Sequence, residues 1–443
     1  MRLSVNQAYD LAAASMVAVG HTPAEAKVIA DHLIDSELRG LSFGGLPRAL
    51  SVVERIQATT SPRRPIRVIK EGLTSAAIDG GDQVGYLVGQ RATEMAIEKA
   101  KASGMAVVGA HDTWYTGMFS YYLEQITRSG FVGMVAGSAP QKVAPHGGTQ
   151  PRFGTNPIAF GFPADPSPII WDIGTSSIMA GEVVMHARAG TPLPEGTAFD
   201  KEGNPTRDAM ASAEGAWTVW GGHKGSGLAM VVQLLGMMCG AAADPVGVSD
   251  CGFFLFVVDP GMLTSADDYR ERVGAYGDSL RSTRPADPAK PVRVPFERSA
   301  AERERRRAND VVEVPDETYH ALLKLTQTPE VPAEPAIETG TEGTNTAIKG
   351  SWNLLIKTPM GDQTSSLIID SVGPSLSGTM SGSGGKSAIE NGRIDGNDVS
   401  WSARITNPMP LKLDFAGLLE GDELTGSVVL GAFGTASFAG QRV

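Results

Sequence analysis

The strongest constraint on this chain is a break in character near residue 326. Thr326–Asn345 reads TQTPEVPAEPAIETGTEGTN, with three prolines and neither a helical nor a strand period. Such a stretch cannot bury a face, so it reads as a linker. Upstream, apolar segments of helical length alternate with short β-branched runs, the pattern of an α/β domain with mixed sheets. Downstream, only short strands remain: Trp352–Lys357, Ser366–Ile369, Ser375–Met380, Ala388–Ile394, Val399–Ile405, Leu411–Phe415, Leu424–Leu430 and Ser437–Arg442. Gly-, Asn- and Asp-rich turns join these eight candidates, which suit a small eight-stranded antiparallel barrel, with a β-sandwich as the alternative. The expected division is an α/β domain over 1–325, a flexible linker over 326–346 and a small all-β domain over 347–443.

Within the first domain, Thr22-Pro23-Ala24-Glu25 is a strong helix start, with a capping residue, Pro at the first turn and Glu three residues on. That helix stops near Gly40. Met105–Gly109 predicts a buried strand that delivers His111-Asp112-Thr113-Trp114-Tyr115 at its end. The central stretch 153–181, FGTNPIAFGFPADPSPIIWDIGTSSIMAG, holds two polar turns between apolar strands. Its Gly154-Thr155-Asn156-Pro157 and Gly174-Thr175-Ser176-Ser177 turns offer backbone N–H groups to an anion at strand ends. Further on, Gly221-Gly222-His223-Lys224-Gly225-Ser226-Gly227 opens a long apolar helix. Its glycines allow close backbone approach, the helix start favours negative charge, and Lys224 is a cationic anchor.

Together, the GTNP turn, Asp172 with Thr175-Ser176, and Gly222-His223-Lys224-Gly225-Ser226-Gly227-Leu228-Ala229 resemble the type-2 malate/L-lactate dehydrogenase family. The resemblance runs over about residues 5–325 and leaves out the last hundred. It implies a fold distinct from the ordinary Rossmann one, and NAD or NADP as cofactor. It also implies homodimers, or higher homo-oligomers, with active sites near the subunit contact. Members act on 2-keto acids, diketo sugar acids, cyclic imino acids or ureidoglycolate. Carried onto this chain, the cofactor residues are Ser138, His146, Gly148, Thr155, Asp172, Thr175, Ser176, His223, Lys224 and Gly225. Asp172 has a second reading as a helix cap. Ser42, Phe43, Trp114 and Thr155 would line the substrate pocket.

Two departures concern the chemistry. The family reads Ser-His-Gly with an arginine three residues beyond the glycine. Here Ser42-Phe43-Gly44 puts Phe43 at the histidine, and Arg48 falls one position late. The family's Asn-x-x-His-Phe-Gly stands as His111-Asp112-Thr113-Trp114-Tyr115-Thr116, with Trp114 at the histidine. A keto acid reductase needs a proton donor for the developing alkoxide. His111, His146 and Tyr115 are the candidates, and Arg48 can clamp a carboxylate bidentately. The expected function is hydride transfer between a nicotinamide cofactor and a small 2-hydroxy/2-keto acid or cyclic imino acid. The alternative is a redox-silent or repurposed member acting as a binding or assembly protein.

Composition narrows the partners. The formal charge is −11 and no basic stripe offsets it, which argues against nucleic acid. No run of 18 apolar residues suggests a membrane span, and no ligand cluster suggests a metal. Two cysteines, Cys239 and Cys251, lie in apolar surroundings and read as buried thiols of a cytoplasmic protein.

Overall fold

The computed structural model describes residues 1–59, 62–327, 348–358, 361–371, 376–382, 385–395, 397–405, 411–429 and 435–443. Its contacts divide the chain into two compact units, Met1–Glu330 and Val331–Val443. The expected linker lies, from residue 328 on, outside the described residues.

The first unit opens with a helical layer. A short pair, β1 (Arg2–Leu3) with β11 (Val312–Glu313), brings both ends of the unit together. Helix α1 (Val5–Ala18) and helix α2 (Pro23–Leu38) each start with a capping box, Ser4 with Gln7 and Thr22 with Glu25. With α3 (Leu46–Ala58) and α11 (Asp316–Gln327) they bury Leu11, Met16, Ile29, Leu33, Leu46, Val52 and Leu322 in one core. Helix α10 (Glu297–Asn309) lies against α2, and α9 (Ala266–Arg281) precedes it.

Beside this layer stands a seven-stranded mixed sheet. Its strands are β2 (Arg67–Glu71), β3 (Ser75–Val84), β4 (Met105–Trp114), β5 (Val132–Gly137), β6 (Ile158–Phe162), β7 (Ile169–Ile173) and β10 (Gly252–Val258), in the order β2-β3-β4-β10-β5-β6-β7. Only β3 and β4 run parallel. Alternation along β10 sorts its side chains between the faces. Phe253, Leu255 and Val257 meet α4 (Gly85–Ser103) and α5 (Phe119–Arg128), while Phe254 and Phe256 face α8 (His223–Met238). Sequence reading ends β3 at a Gly80-Gly81 turn, but the strand continues to Val84 through an irregularity. Gly80 tolerates it because a Cβ there would lie 2.6 Å from the Asp112 carbonyl oxygen. The polar meander after β7 contains α6 (Ala180–Ala189), α7 (Ala209–Glu214) and a small pair, β8 (Ala198–Phe199) with β9 (Ala216–Trp217).

The second unit is a single curled antiparallel sheet of nine strands, where eight were expected. They are β12 (Gly350–Thr358), β13 (Gly361–Ser371), β14 (Ser377–Gly382), β15 (Gly385–Ala388), β16 (Glu390–Asp395), β17 (Asp398–Ile405), β18 (Leu411–Glu420), β19 (Glu423–Val429) and β20 (Thr435–Arg442). The order is β15-β14-β13-β12-β20-β19-β18-β17-β16. The expected strand over 388–394 is two strands, split at Ile389, whose N–H donates to the Gly378 carbonyl at 3.0 Å. The two edge strands are thus consecutive in sequence, and the edges meet: the Leu376 N–H, just before β14, donates to the Gly392 carbonyl in β16 at 2.7 Å. Trp352, Trp401, Phe415 and Phe438 fill the interior, with Trp401 and Phe415 stacked at 4.7 Å.

Each unit has its own apolar core, so each should fold alone. Fragments 1–327 and 348–443 are expected to give folded circular dichroism spectra and cooperative melts. Two unfolded fragments would refute the division.

Candidate functional site

The first part of the site is the N-terminus of α8. Gly221 and Gly222 both adopt positive φ, 64° and 61°, and Gly222 leaves the helix without a side-chain cap. Gly225 is obligatory, since a Cβ there would lie 1.6 Å from the Trp220 carbonyl oxygen. The first-turn N–H groups have no partner within the helix. Exposed His223 and Lys224 stand beside them. His146 joins this group: its N–H donates to Ser226 Oγ at 3.2 Å, and its ring lies 6.2 Å from that of His223. Gly148 closes the turn through its N–H to the Pro145 carbonyl. One uncapped helix start, a lysine and two histidines suit a phosphate or pyrophosphate. A nicotinamide dinucleotide fits this donor set.

Backbone bonds connect this end to the central turns. The Trp220 N–H donates to the Thr175 carbonyl at 2.8 Å. Thr175 is fully buried and gives both its N–H and its hydroxyl to the Thr155 carbonyl, at 2.9 and 3.0 Å. The Ser176 hydroxyl is held by the Ile178 carbonyl. Ser138 Oγ accepts from the Gly252 N–H at 2.8 Å, which ties β5 to β10. These three hydroxyls brace backbone. Asp172 takes the reading as a cap: its Oδ2 accepts from the Ser120 N–H at 2.7 Å, at the start of α5, while burial pushes its carboxyl up. Thr155 is half-buried between these turns. Sequence reasoning passed over Asn156. Its Oδ1 accepts from the Ala139 N–H at 3.1 Å, and its Nδ2 donates to the Ala229 carbonyl at 2.9 Å. The signal was its place in the GTNP turn, since Asn tolerates the observed φ of 33°.

The second part is built from two turns. The Arg48 guanidinium lies over the Tyr115 ring, 4.4 Å from its centroid, and both residues are half-buried. Arg48 sits in the first turn of α3, and Tyr115 just past β4 at φ 55°. Each turn contains a glycine that its packing requires. A Cβ on Gly45 would lie 2.1 Å from Glu37 Cγ; one on Gly117 would lie 2.4 Å from His32 Nε2. A Cβ on Gly44 would meet only ordinary contacts, the nearest being Ser36 Cβ at 3.4 Å.

The other residues expected at the pocket are placed as follows. Trp114 is 3% exposed, donates to the Asp82 carbonyl at 3.0 Å, lies under Arg55 and meets the Tyr115 ring edge-on at 5.3 Å. Phe43 packs on Gly181 in the first turn of α6, where a Cβ would come within 2.5 Å of the ring. The side chain of Ser42 lies outside the described residues. His111 packs against Gly240, beyond the C-terminal end of α8, where a Cβ would lie 2.5 Å from its Cδ2. A 16-residue helix is about 24 Å long, which separates it from Lys224. Among the described residues, no hydrogen bond or ring contact joins His111 to Arg48 or Tyr115. Both cysteines are free and buried. Among the described residues no cluster of His, Cys, Asp or Glu could hold a metal, and no helix is long and apolar enough to cross a membrane.

Comparison with known proteins identifies the family. Residues 3–323 match the family described as malate/L-lactate dehydrogenase. The L-sulfolactate dehydrogenase of Methanothermobacter thermautotrophicus is 30% identical over 293 residues, covering 64% of this chain and 86% of that protein. The Delta(1)-pyrroline-2-carboxylate/Delta(1)-piperideine-2-carboxylate reductase of Pseudomonas aeruginosa is 30% identical over 346 residues, covering 73% of this chain and 99% of the other. A crystal structure of a dehydrogenase from Sinorhizobium meliloti superposes with a TM-score of 0.69 at 29% identity, over 74% of this chain and 98% of its own. The chain belongs to the malate/L-lactate dehydrogenase family of oxidoreductases.

Proposed function

We propose that this protein reduces a small carboxylate-bearing cyclic imine or 2-keto acid, with NADH or NADPH as reductant. The observation that carries this reading is the Arg48–Tyr115 contact, bracketed by two glycines that packing requires. Counting from those glycines brings both family motifs into register. Arg48 then stands three residues past Gly45, and Gly44 occupies the histidine position. Asp112–Gly117 covers Asn-x-x-His-Phe-Gly, with Tyr115 at the histidine. On this count neither Phe43 nor Trp114 replaces a histidine.

The chain's own groups divide the work. The α8 N-terminus, His146, His223 and Lys224 hold the phosphates. Arg48 pairs with the substrate carboxylate. A bound reduced nicotinamide supplies hydride to the acceptor carbon. The Tyr115 hydroxyl gives its proton to the oxygen of a keto acid as that oxygen gains charge. A cyclic iminium arrives already protonated and demands less of this phenol, which supports the imine as the better substrate. The reductase named above, from Pseudomonas aeruginosa, acts on imines of this kind by its name.

A homo-oligomer goes with this reading. Met230, Leu234, Met237 and Met238 form an exposed apolar face on α8, and Trp171 is exposed beside Phe160 on the same side of the sheet. A second copy of the chain is the partner that would cover it.

Turnover of Δ1-piperideine-2-carboxylate, pyruvate and oxaloacetate, each with both cofactors, tests the chemistry. Imine turnover should exceed keto acid turnover. Tyr115→Phe should lower kcat on keto acids by roughly 10²-fold, and Arg48→Ala should mainly raise KM. His111→Ala should change neither; a loss equal to that of Tyr115→Phe would return the donor role to His111. Gly225→Ala should abolish the fluorescence change of NADH or NADPH on titration. Light scattering should give a dimer or larger, and Leu234→Lys with Met238→Lys should shift it to monomer; a monomeric parent would remove the oligomer.

A further inference from the structure

Helix α2 places two buried side chains that the chemistry above does not use. His32 is 1% exposed and Glu37 fully buried. Each holds one backbone N–H of a turn that carries a substrate residue. His32 Nε2 accepts from the Met118 N–H at 2.8 Å, across 86 residues of sequence. Glu37 Oε1 accepts from the Leu46 N–H at 3.0 Å. Both touch the glycine that their turn requires, Gly117 and Gly45. The second polar atom of each, His32 Nδ1 and Glu37 Oε2, is buried without a partner among the described residues.

A cap supplied at a distance differs from an ordinary one. Helices are usually capped by the side chain of the N-cap residue itself. In α3 that residue is Gly45, which has none, and the carboxylate comes from α2. The start of α3, and with it Arg48, is thereby referenced to α2. The Met118 bond references the Tyr115 turn to the same helix. We propose that Glu37 and His32 are positioning residues, which register the Arg48 and Tyr115 turns against α2 and so set the contact between the two side chains. The functional meaning rests on the reading of that pair as the substrate end.

The surroundings also tune the two groups. Burial pushes the Glu37 carboxyl up to about 7, opposed by the Leu46 N–H and by Arg306. Arg306 of α10 is the charged group that faces it. Its Nη1 donates to the Glu37 carbonyl at 2.8 Å, and its Nε is paired with Glu302. The turn adds only backbone. Burial, with Arg39 nearby, lowers His32 to about 3, so it is neutral. Tyr86 from α4 and Tyr121 and Tyr122 from α5 surround its ring. Since the Glu37 value lies above the ordinary 4.5, the folded protein holds the extra proton between those values. Stability is therefore lost as pH rises through that window.

Binding of oxamate, an isostere of a 2-keto acid, is the first arm of the test. Glu37→Ala and His32→Ala should each weaken it about tenfold, with NADH affinity unchanged. Glu37→Ala added to Arg48→Ala, and His32→Ala added to Tyr115→Phe, should weaken it no further, because each acts through the residue its turn carries. Additive losses, or none, would overturn the proposal. Hydrogen exchange is the second arm: each variant should loosen both turns, 43–48 and 113–118. Loosening confined to the nearer turn would also overturn it. A wild-type protein that ignores oxamate while the turns exchange together would defeat the substrate reading and leave the coupling standing. In the third arm, Glu37→Gln keeps the acceptor oxygen. It should retain oxamate binding and lose less stability than the parent between pH 4.5 and 7; equal losses would remove Glu37 ionisation from the account.

Discussion

The structure depends on a balanced set of buried charges around α2. Arg39 Nε pairs with Asp35 at 2.6 Å and its Nη2 with Glu124 at 2.6 Å. Arg303 reaches across from α10 to both carboxylates, at 2.9 Å to Glu124 and 3.2 Å to Asp35. Two guanidiniums and two carboxylates cancel, which is what allows them to leave water. Deleting one would strand a buried charge, at a cost of about 3–5 kcal/mol. The set joins three elements that are distant in sequence: α2, α5 and α10. Helix α5 begins just after the Tyr115 turn, and α2 ends just before the Arg48 turn. Clamping these helices thus limits how far apart the two turns can stand.

The anion end rests on neutral hydrogen bonds instead. Asn156 bridges the Ala139 N–H, on the loop after β5, to the Ala229 carbonyl in α8. Thr175 fastens the turn after β7 to the GTNP turn. Both are fully buried, so each unmade bond would leave a polar group without water. Their rigidity keeps the glycine turn open at the start of α8, where Lys224 and the two histidines stay exposed. One end of the site is thus held by charges inside a helical layer, and the other by amide and hydroxyl groups between loops.

Much of this was legible in the chain. Thr22-Pro23-Ala24-Glu25 started its helix as its capping chemistry requires, because a capping box is a local interaction. The glycine-rich run before α8 was readable for the same reason. The motif register was not. Two glycines adjoin at 44 and 45, and in sequence only the spacing to Arg48 favours the second, which is the motif glycine on the count proposed above. What distinguishes them is a carboxylate that arrives from α2. Trp114 reads as a pocket aromatic beside Tyr115, and the two rings do meet at 5.3 Å, with Arg55 over the one and Arg48 over the other. The positive φ at Tyr115 alters the ordinary strand alternation there.

By itself the sequence determined what depends on neighbours along the chain: caps, strand and helix periods, the uncapped start of α8 and the change to short strands after residue 326. Tertiary structure decided what depends on residues far apart. It carried His111 to Gly240 and away from Tyr115, brought Arg48 onto the Tyr115 ring, and split the expected strand at Ile389. It also gave Glu37 its role, since a glutamate in a helix is ordinarily solvated until a turn folds over it and takes its oxygen. Local bonds follow from spacing, whereas burial and long-range contact exist only once the elements have packed.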